Sequence, residues 1–367
     1  MNLELSKVNV LPVKTWSWLR VNHLTLSENI PDIVPYKKNV INWNENDKNN
    51  LLVDQIDEEF DALLQIETGM GEEAVEFIKE NKNNEVLIRV PKDYVVEKPI
   101  FINYELKEDE SIVDLNRVIA EENSKITIVL NYKSADLGKA FHSGLTFIEA
   151  KKNAEVNLVV VQLLNDETIH LNDIGTRACE NGTINITQAE VGGSKVVLGL
   201  RTLLKGNDSK QYVNSIYFGD KKRFIDINYI VNHVGRFTIS ELKLNGALLD
   251  EGRKLFRGTI DFQKGAVGAS GAEEEFNLLF SPKIKNITAP LILCGEENVE
   301  GKHGANSGKI LEEQLFYMMS RGIDELTAKK IMIESSFAPV IERVPDEELK
   351  NAISEYVKGR LLNVKQI

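Results

Sequence analysis

For more than two hundred residues, from about 86 to 300, the chain contains no segment with helical periodicity long enough to form a helix. It offers short runs of Val, Ile, Thr, Tyr and Phe instead, at 86–90, 126–130, 156–164, 183–187, 196–200, 212–218, 224–231 and 237–242. Such residues suit a pleated, half-buried surface, and Gly, Asn, Asp and Lys break the runs apart. The want of helical segments between the β-runs argues against an alternating βαβ fold and for an all-β architecture.

The turns repeat in kind. EENSKITI, KKNAEVNL and CENGTINI each set an Asn and then a small or polar residue ahead of a β-run. Asn123, Asn153 and Asn181 lie 30 (153 − 123) and 28 (181 − 153) residues apart, and LKGNDSKQYV and FQKGAVGA continue the theme with Gly206 and Gly265. A unit of that length cannot bury its own apolar face. Stacking units so that strands hydrogen-bond ~4.8 Å apart solves the problem, which favours a parallel β-helix. An antiparallel sandwich also uses many short strands, so the pattern leaves that alternative standing.

The flanks have a different texture. Leu51, Leu52, Ile56, Phe60, Leu63 and Leu64, then Ala74, Val75, Phe77 and Ile78, recur at three and four residues, with Gly69 and Gly71 between the runs. That predicts two amphipathic helices joined by a turn. Ahead of them LPVKTWSWLRVNHL (11–24) places Trp16 and Trp18 close to Pro12, as in a segment docked on a surface. From about 310 the helical period returns in three stretches, with Asp324 and Asp346 as N-caps, Gly322 as a C-cap, and Lys358 and Arg360 near the last C-terminus. The expected organisation is a helical N-terminal region (1–85), a β-helix core (86–305) and a helical C-terminal domain (306–367).

Several function classes fall away. A net charge of −12 repels phosphate backbones, and no basic run with interleaved aromatics offsets it, so nucleic acid is not an expected partner. No stretch approaches the ~18 apolar residues of a membrane span and the N-terminus lacks a signal-peptide plan, which points to the cytoplasm. GANSGK resembles a phosphate loop but fails on spacing: His303 stands where the first Gly belongs and Ile310 where Ser or Thr belongs. There is no G-x-S-x-G elbow, and the histidines, His23, His142, His170, His233 and His303, form no local triad signature. The densest acidic cluster in the β-zone, GAEEEFN (271–277), reads as a solvated turn. Carbohydrate-active β-helix enzymes need converging carboxylates, and here Asp and Glu are spread out.

One stretch stands out for its chemistry. CGEENVEGKHGANSGK (294–309) gathers a thiol (Cys294), three carboxylates (Glu296, Glu297, Glu300) and an imidazole (His303) within ten residues. Thiolate and imidazole suit iron, and Gly301 and Gly304 would let the backbone approach closely around His303. The competing readings are a buried small apolar residue for Cys294 and a simple turn for His303. With Cys179 and Cys294 the only cysteines, and no C-x-x-C pair, the chain cannot hold a cluster alone.

VEGKHGANSGKILEEQLFYMMSRGI (299–323) resembles the signature of the SufB/SufD family, in which a His-containing turn precedes an acidic helix reading E-x-Q-L-F-Y and ending S-R-G-I. VLIRVPKDYVVEKPIFINY (86–104) and GALLDEGRKLFRGTIDFQKGA (246–266) look like the family's entry into the β-helix and its late rungs. The H-G-A order at 303–305 is SufD-like; SufB-like chains have Glu where Gly304 stands. Two departures are clear. Gly301 replaces the Cys that many SufD-like chains carry two residues before the His, and 196–201 holds no equivalent of the SufB-like Cys.

The resemblance implies a right-handed parallel β-helix with helical N- and C-terminal domains, acting as a non-catalytic scaffold in SUF-type iron–sulfur cluster assembly. It implies a SufB-like paralogue as partner through the β-helix, where a homodimer is also permitted, and a SufC-type ABC ATPase docked on the C-terminal helices. His303 matches the family histidine implicated in building the nascent cluster, with Cys294 and Glu300 as neighbouring candidates. Phe316, Tyr317, Arg321 and Asp324 are candidate ATPase contacts, and Met318, Met319, Ile331 and Met332 are either docking surface or core. No permanently bound cofactor is expected, iron or a cluster being shared transiently with the partner. The remaining alternatives are a carbohydrate-active enzyme and a protein-binding solenoid without iron.

Overall fold

The computed structural model describes residues 1–362 apart from 37, 39, 45, 46, 48, 49, 54–56, 308 and 309. Ile56 of the first amphipathic run and the Gly308–Lys309 pair thus lie outside the described residues.

Two sheets run side by side through the molecule, and successive strands along the chain alternate between them. The first contains Ile100–Leu106, Lys125–Ser134, Glu155–Leu163, Thr183–Glu190, Lys210–Gly219, Ile239–Leu248, Ser270–Leu279 and Glu300–Ser307. The second contains Asn84–Val90, Ser111–Ala120, Phe141–Ala150, Ile169–Ala178, Lys195–Leu204, Phe224–His233, Arg253–Phe262 and Lys285–Cys294. Every pairing among these strands is parallel, so the chain winds as a parallel β-helix and the sandwich alternative is set aside. A turn of the helix takes from 26 residues (Ile169 to Lys195) to 32 (Arg253 to Lys285).

The recurring asparagines explain how the turns stay in register. Asp93, Asn123, Asn153, Asn181 and Asp208 occupy one corner of successive turns, all at positive φ between 52° and 60°. Asn and Asp tolerate that left-handed conformation better than other side chains with a Cβ. Their side chains also stack: Asn153 donates to Asn123 at 2.8 Å, Asn181 to Asn153 at 2.9 Å, and Asn123 to Asp93 at 2.6 Å.

Between the sheets lies a continuous apolar core, including Ile126, Val156 and Ile184 from one wall and Val196, Ile225 and Phe256 from the other. Each sheet's outer face is covered by a flank of the chain. Helices α1 (Glu58–Leu63) and α2 (Glu72–Asn81), with the hairpin Asn2–Val8/Leu24–Asn29, bury Leu3, Leu26, Phe60 and Ile78 against Leu115, Leu145 and Val197 of the second sheet. Helices α3 (Ile310–Ser320), α4 (Glu325–Ile341) and α5 (Glu347–Leu362) follow the β-helix. Of these, α4 and α5 bury Ile333, Phe337, Ile353 and Val357 on Val159, Val161, Ala189 and Phe218 of the first sheet. Asp324 caps α4, accepting from the Thr327 backbone at 3.0 Å, and Asp346 accepts from Leu349 at 2.8 Å.

The N-terminal region departs from the expected pair of helices. Leu52 belongs to a two-residue strand, Leu52–Val53, which hydrogen-bonds antiparallel to Asn84–Val90 and closes the first edge of the second sheet. Ile41–Asn42 does the same for the first sheet. An open edge pairs with any available strand, and here that need overrides the helical spacing. The segment around the tryptophans docks through Leu11 and Val21 on Leu255 and Leu291, while Trp16 and Trp18 are each 73% exposed.

Candidate functional site

The two ends of the β-helix differ. Short antiparallel strands cap the first end, whereas at the other Lys285–Cys294 and Glu300–Ser307 each pair on one side only among the described residues. Their outer edges carry unpaired backbone N–H and C=O groups aligned for another strand.

His303 lies on this last turn, in a strand where the sequence pointed to a turn, and is exposed. Its register partner one turn below is Glu273. Side chains alternate along a strand and keep their side in a parallel register. Gly271, Glu273, Glu275 and Asn277 are buried inside, so Gly301 and His303 take the inward side. A Cβ at Gly301 would meet Phe262 and Ile292 of the core at 3.1 and 3.2 Å, which fixes that direction. His303 therefore stands at the mouth of the solenoid interior.

The other candidates are placed apart from it. Glu300 takes the outward side with Lys302, the two forming an ion pair at 2.7 Å that lowers the Glu300 carboxyl pKa. Glu296 accepts from the backbone N–H groups of Gly265 at 3.1 Å and Glu297 at 3.0 Å, which pins the turn before the last strand. Cys294 ends the facing strand, in register with Phe262, and its thiol is exposed, not a core residue. Cys179 is far back in the solenoid, where burial pushes its thiol up. Among the described residues no three His, Cys, Asp or Glu side chains gather closely enough to hold a metal.

The largest difference from the sequence reading is GAEEEFN. It is a strand and not a solvated turn, because its neighbours Ile239–Leu248 and Glu300–Ser307 pair with it on both sides. Alternation sends Glu273 and Glu275 inward and leaves Glu274 outside. Glu275 is neutralised there by Lys254 at 2.5 Å, with Tyr217 and Thr288 donating to it at 2.7 and 2.6 Å. Among the described residues Glu273 has no such donor, and burial pushes its carboxyl up to about 8. The signal available in the sequence was the i, i+2 spacing of two glutamates inside a β-run.

A second polar column lies deeper in the core and joins two histidines that the sequence left scattered. His142 Nε2 donates to Asp114 at 2.6 Å, and His142 and His170 share a hydrogen bond between their Nδ1 atoms at 2.8 Å. His170 Nε2 lies 3.3 Å from Glu190. Burial lowers the His142 pKa, so its ring is neutral and accepts from His170 at Nδ1. All four side chains are sealed inside the solenoid, away from any substrate.

On the helical flank, Phe316 and Tyr317 of α3 are 74% and 59% exposed, with the Arg321 guanidinium over the Tyr317 ring at 5.1 Å. Met319 and Ile331 are exposed too, Met318 is half-buried, and Met332 packs against the apolar layer under α4. Asp324 is occupied as a helix cap. No helix among the described residues is long and apolar enough to cross a membrane.

Comparison with known proteins agrees with this picture. Residues 103–336 match the family described as SUF system FeS cluster assembly, SufBD core domain. The chain is 24% identical over 282 residues to the iron–sulfur cluster assembly protein SufD of Bacillus subtilis, covering 76% of this chain and 64% of that protein. It is 25% identical over 240 residues to SufD of Escherichia coli, covering 65% and 57%. An iron–sulfur cluster assembly SufBD family protein of Staphylococcus saprophyticus is 26% identical over 283 residues, covering 75% and 60%. The chain thus spans about three-fifths of the length of these relatives. With a SufBD core over most of its β-helix and SufD proteins among its relatives, the chain belongs to the SufBD family and is most like SufD.

Proposed function

We propose that this chain is a non-catalytic scaffold subunit of a SUF-type iron–sulfur cluster assembly complex, working in the cytoplasm. Its β-helix, wound right-handed as nearly all parallel crossovers are, meets a SufB-like paralogue at the open end. The observation that carries the reading is His303 on the inward side of a last turn whose outer edge is open among the described residues. A second β-helix adding its strands to that edge would enclose the imidazole between two solenoids, where iron and sulfur arrive as cargo. The exposed Phe316, Tyr317 and Arg321 form the docking surface for a SufC-type ABC ATPase. Because α4 and α5 are seated on the first sheet, closure of paired ATPases would be transmitted to the strands leading to the open end.

Co-purification with the cognate ATPase, followed by its turnover rate, tests this. Deleting the C-terminal helices would strip the cover from Val159, Val161 and Phe218, so point variants are the sound choice. Full-length chain should bind the ATPase and raise its turnover, and the triple variant F316A/Y317A/R321A should lose both while its melting temperature is kept. An unaltered complex with the triple variant would remove α3 from the docking surface, and no complex with the native chain would remove the scaffold reading.

A further inference from the structure

Among the described residues Glu273 has no hydrogen-bond donor or ion-pair partner of its own, although only 3% of the residue is exposed. Lys254, the cation that acts on it, is bound to Glu275, and Tyr217 and Thr288 donate to Glu275 as well. A buried carboxyl group without donors is costly and calls for an explanation. The surroundings make room for it: a Cβ at Gly258, on the opposite wall, would fall 1.8 Å from a Glu273 oxygen. Among the described residues of the first sheet only the strand of His303 lies beyond Glu273, and beyond that strand the edge is open. The two residues are register partners on the same inward side, with Cα atoms ~4.8 Å apart as in any parallel ladder.

We propose that Glu273 and His303 together form a binding site for a divalent first-row transition-metal ion, with Glu273 the inner ligand and His303 the outer one. An imidazole nitrogen and a carboxylate oxygen are donors that such ions, ferrous iron among them, accept readily. Water and the strand of a facing subunit complete the coordination. The proposal rests on the reading of His303 as the residue that meets incoming iron, and extends the site one turn into the solenoid.

The test uses the full-length chain, purified anaerobically, titrated with Mn²⁺ at neutral pH and followed by the EPR signal of the free ion, then repeated with Fe²⁺. The native chain should bind one ion, and E273Q and H303A should each weaken binding by at least about tenfold. G258A, which crowds the carboxylate, should weaken it as well. Melting temperatures of the variants show that each is folded. Loss of binding in H303A with native binding in E273Q would mean a surface imidazole alone and would overturn the proposal, as would a native chain that binds no ion at millimolar concentration. ATPase co-purification of E273Q separates the two readings: metal binding that depends on Glu273 stands even if no ATPase complex forms, and an ATPase complex survives even if no metal binds.

Discussion

Arg360, on the last helix, reaches both carboxylate oxygens of Asp220, each at 2.9 Å, at a corner of the β-helix 140 residues earlier in the chain. Asp220 is almost fully buried and also accepts from Arg223 at 3.0 Å, while Arg360 and Arg223 both engage Asp166 as well. This network clamps α5 to the solenoid beside its apolar contacts.

Arg360→Ala should therefore destabilise the protein by about 2 kcal/mol, since it leaves a buried carboxylate short of a partner. Hydrogen exchange should rise first in α5 and little in the strands. Unchanged exchange would mean that the apolar face holds the helix alone. Acid should loosen the same contact. Burial works to raise the Asp166 pKa, but Lys221 and Arg360 bring it down to about 2. Its stabilising effect is thus present above pH 4 and is lost as pH falls towards 2.

Replacing Asn153 separates conformation from hydrogen bonding. Asn153→Val forces a β-branched side chain to φ 56° and breaks the corner stack, and should cost roughly 2–3 kcal/mol in urea unfolding. Asn153→Gly keeps the conformation available and should cost about 1 kcal/mol. Equal losses would show that the stack, and not the left-handed backbone, is what matters.

Lys254 and Glu275 form a fully buried ion pair. Lys254→Met should cost about 3–5 kcal/mol, because Glu275 remains buried without its cation. The double variant K254M/E275L should recover most of that loss. A double-mutant cycle by chemical denaturation measures the coupling, and additive losses would contradict it.

His233 gives the chain a second acid sensitivity. Its ring is held between Thr238 and Ser240 at 2.7 and 2.9 Å, and burial lowers its pKa to about 4. The unfolded ring takes up a proton near pH 6.5, so the folded state is favoured above that value. Stability should fall as pH drops from 6.5 towards 4, by about 1.5 kcal/mol between pH 6.5 and pH 5. His233→Gln should flatten this part of the urea-midpoint profile; an unaltered slope would assign it to other groups.

Much of this architecture was legible because its signals are local. Asn123, Asn153 and Asn181 mark turns whose backbone conformation few other residues accept, and their spacing gives the length of a turn. Asp324 and Asp346 cap helices through hydrogen bonds to residues three positions on. What misled was also local. Leu51 and Leu52 fit a helical repeat, yet Leu52 is drawn into a strand by the open edge of Asn84–Val90. The three glutamates of GAEEEFN look solvated until strands on both sides divide them between inside and outside.

The sequence by itself favoured a stack of β-turn units over a sandwich, and its 299–323 segment pointed to the SufB/SufD family. Only the tertiary structure decided which residues meet. Lys254 meets Glu275 across the interior from the facing sheet, while His142 and His170 share a hydrogen bond and His303 stands over Glu273 because parallel stacking sets side chains some 26 to 32 residues apart directly above one another. That vertical neighbour is fixed by the length of every intervening turn, and no local pattern of residues encodes it.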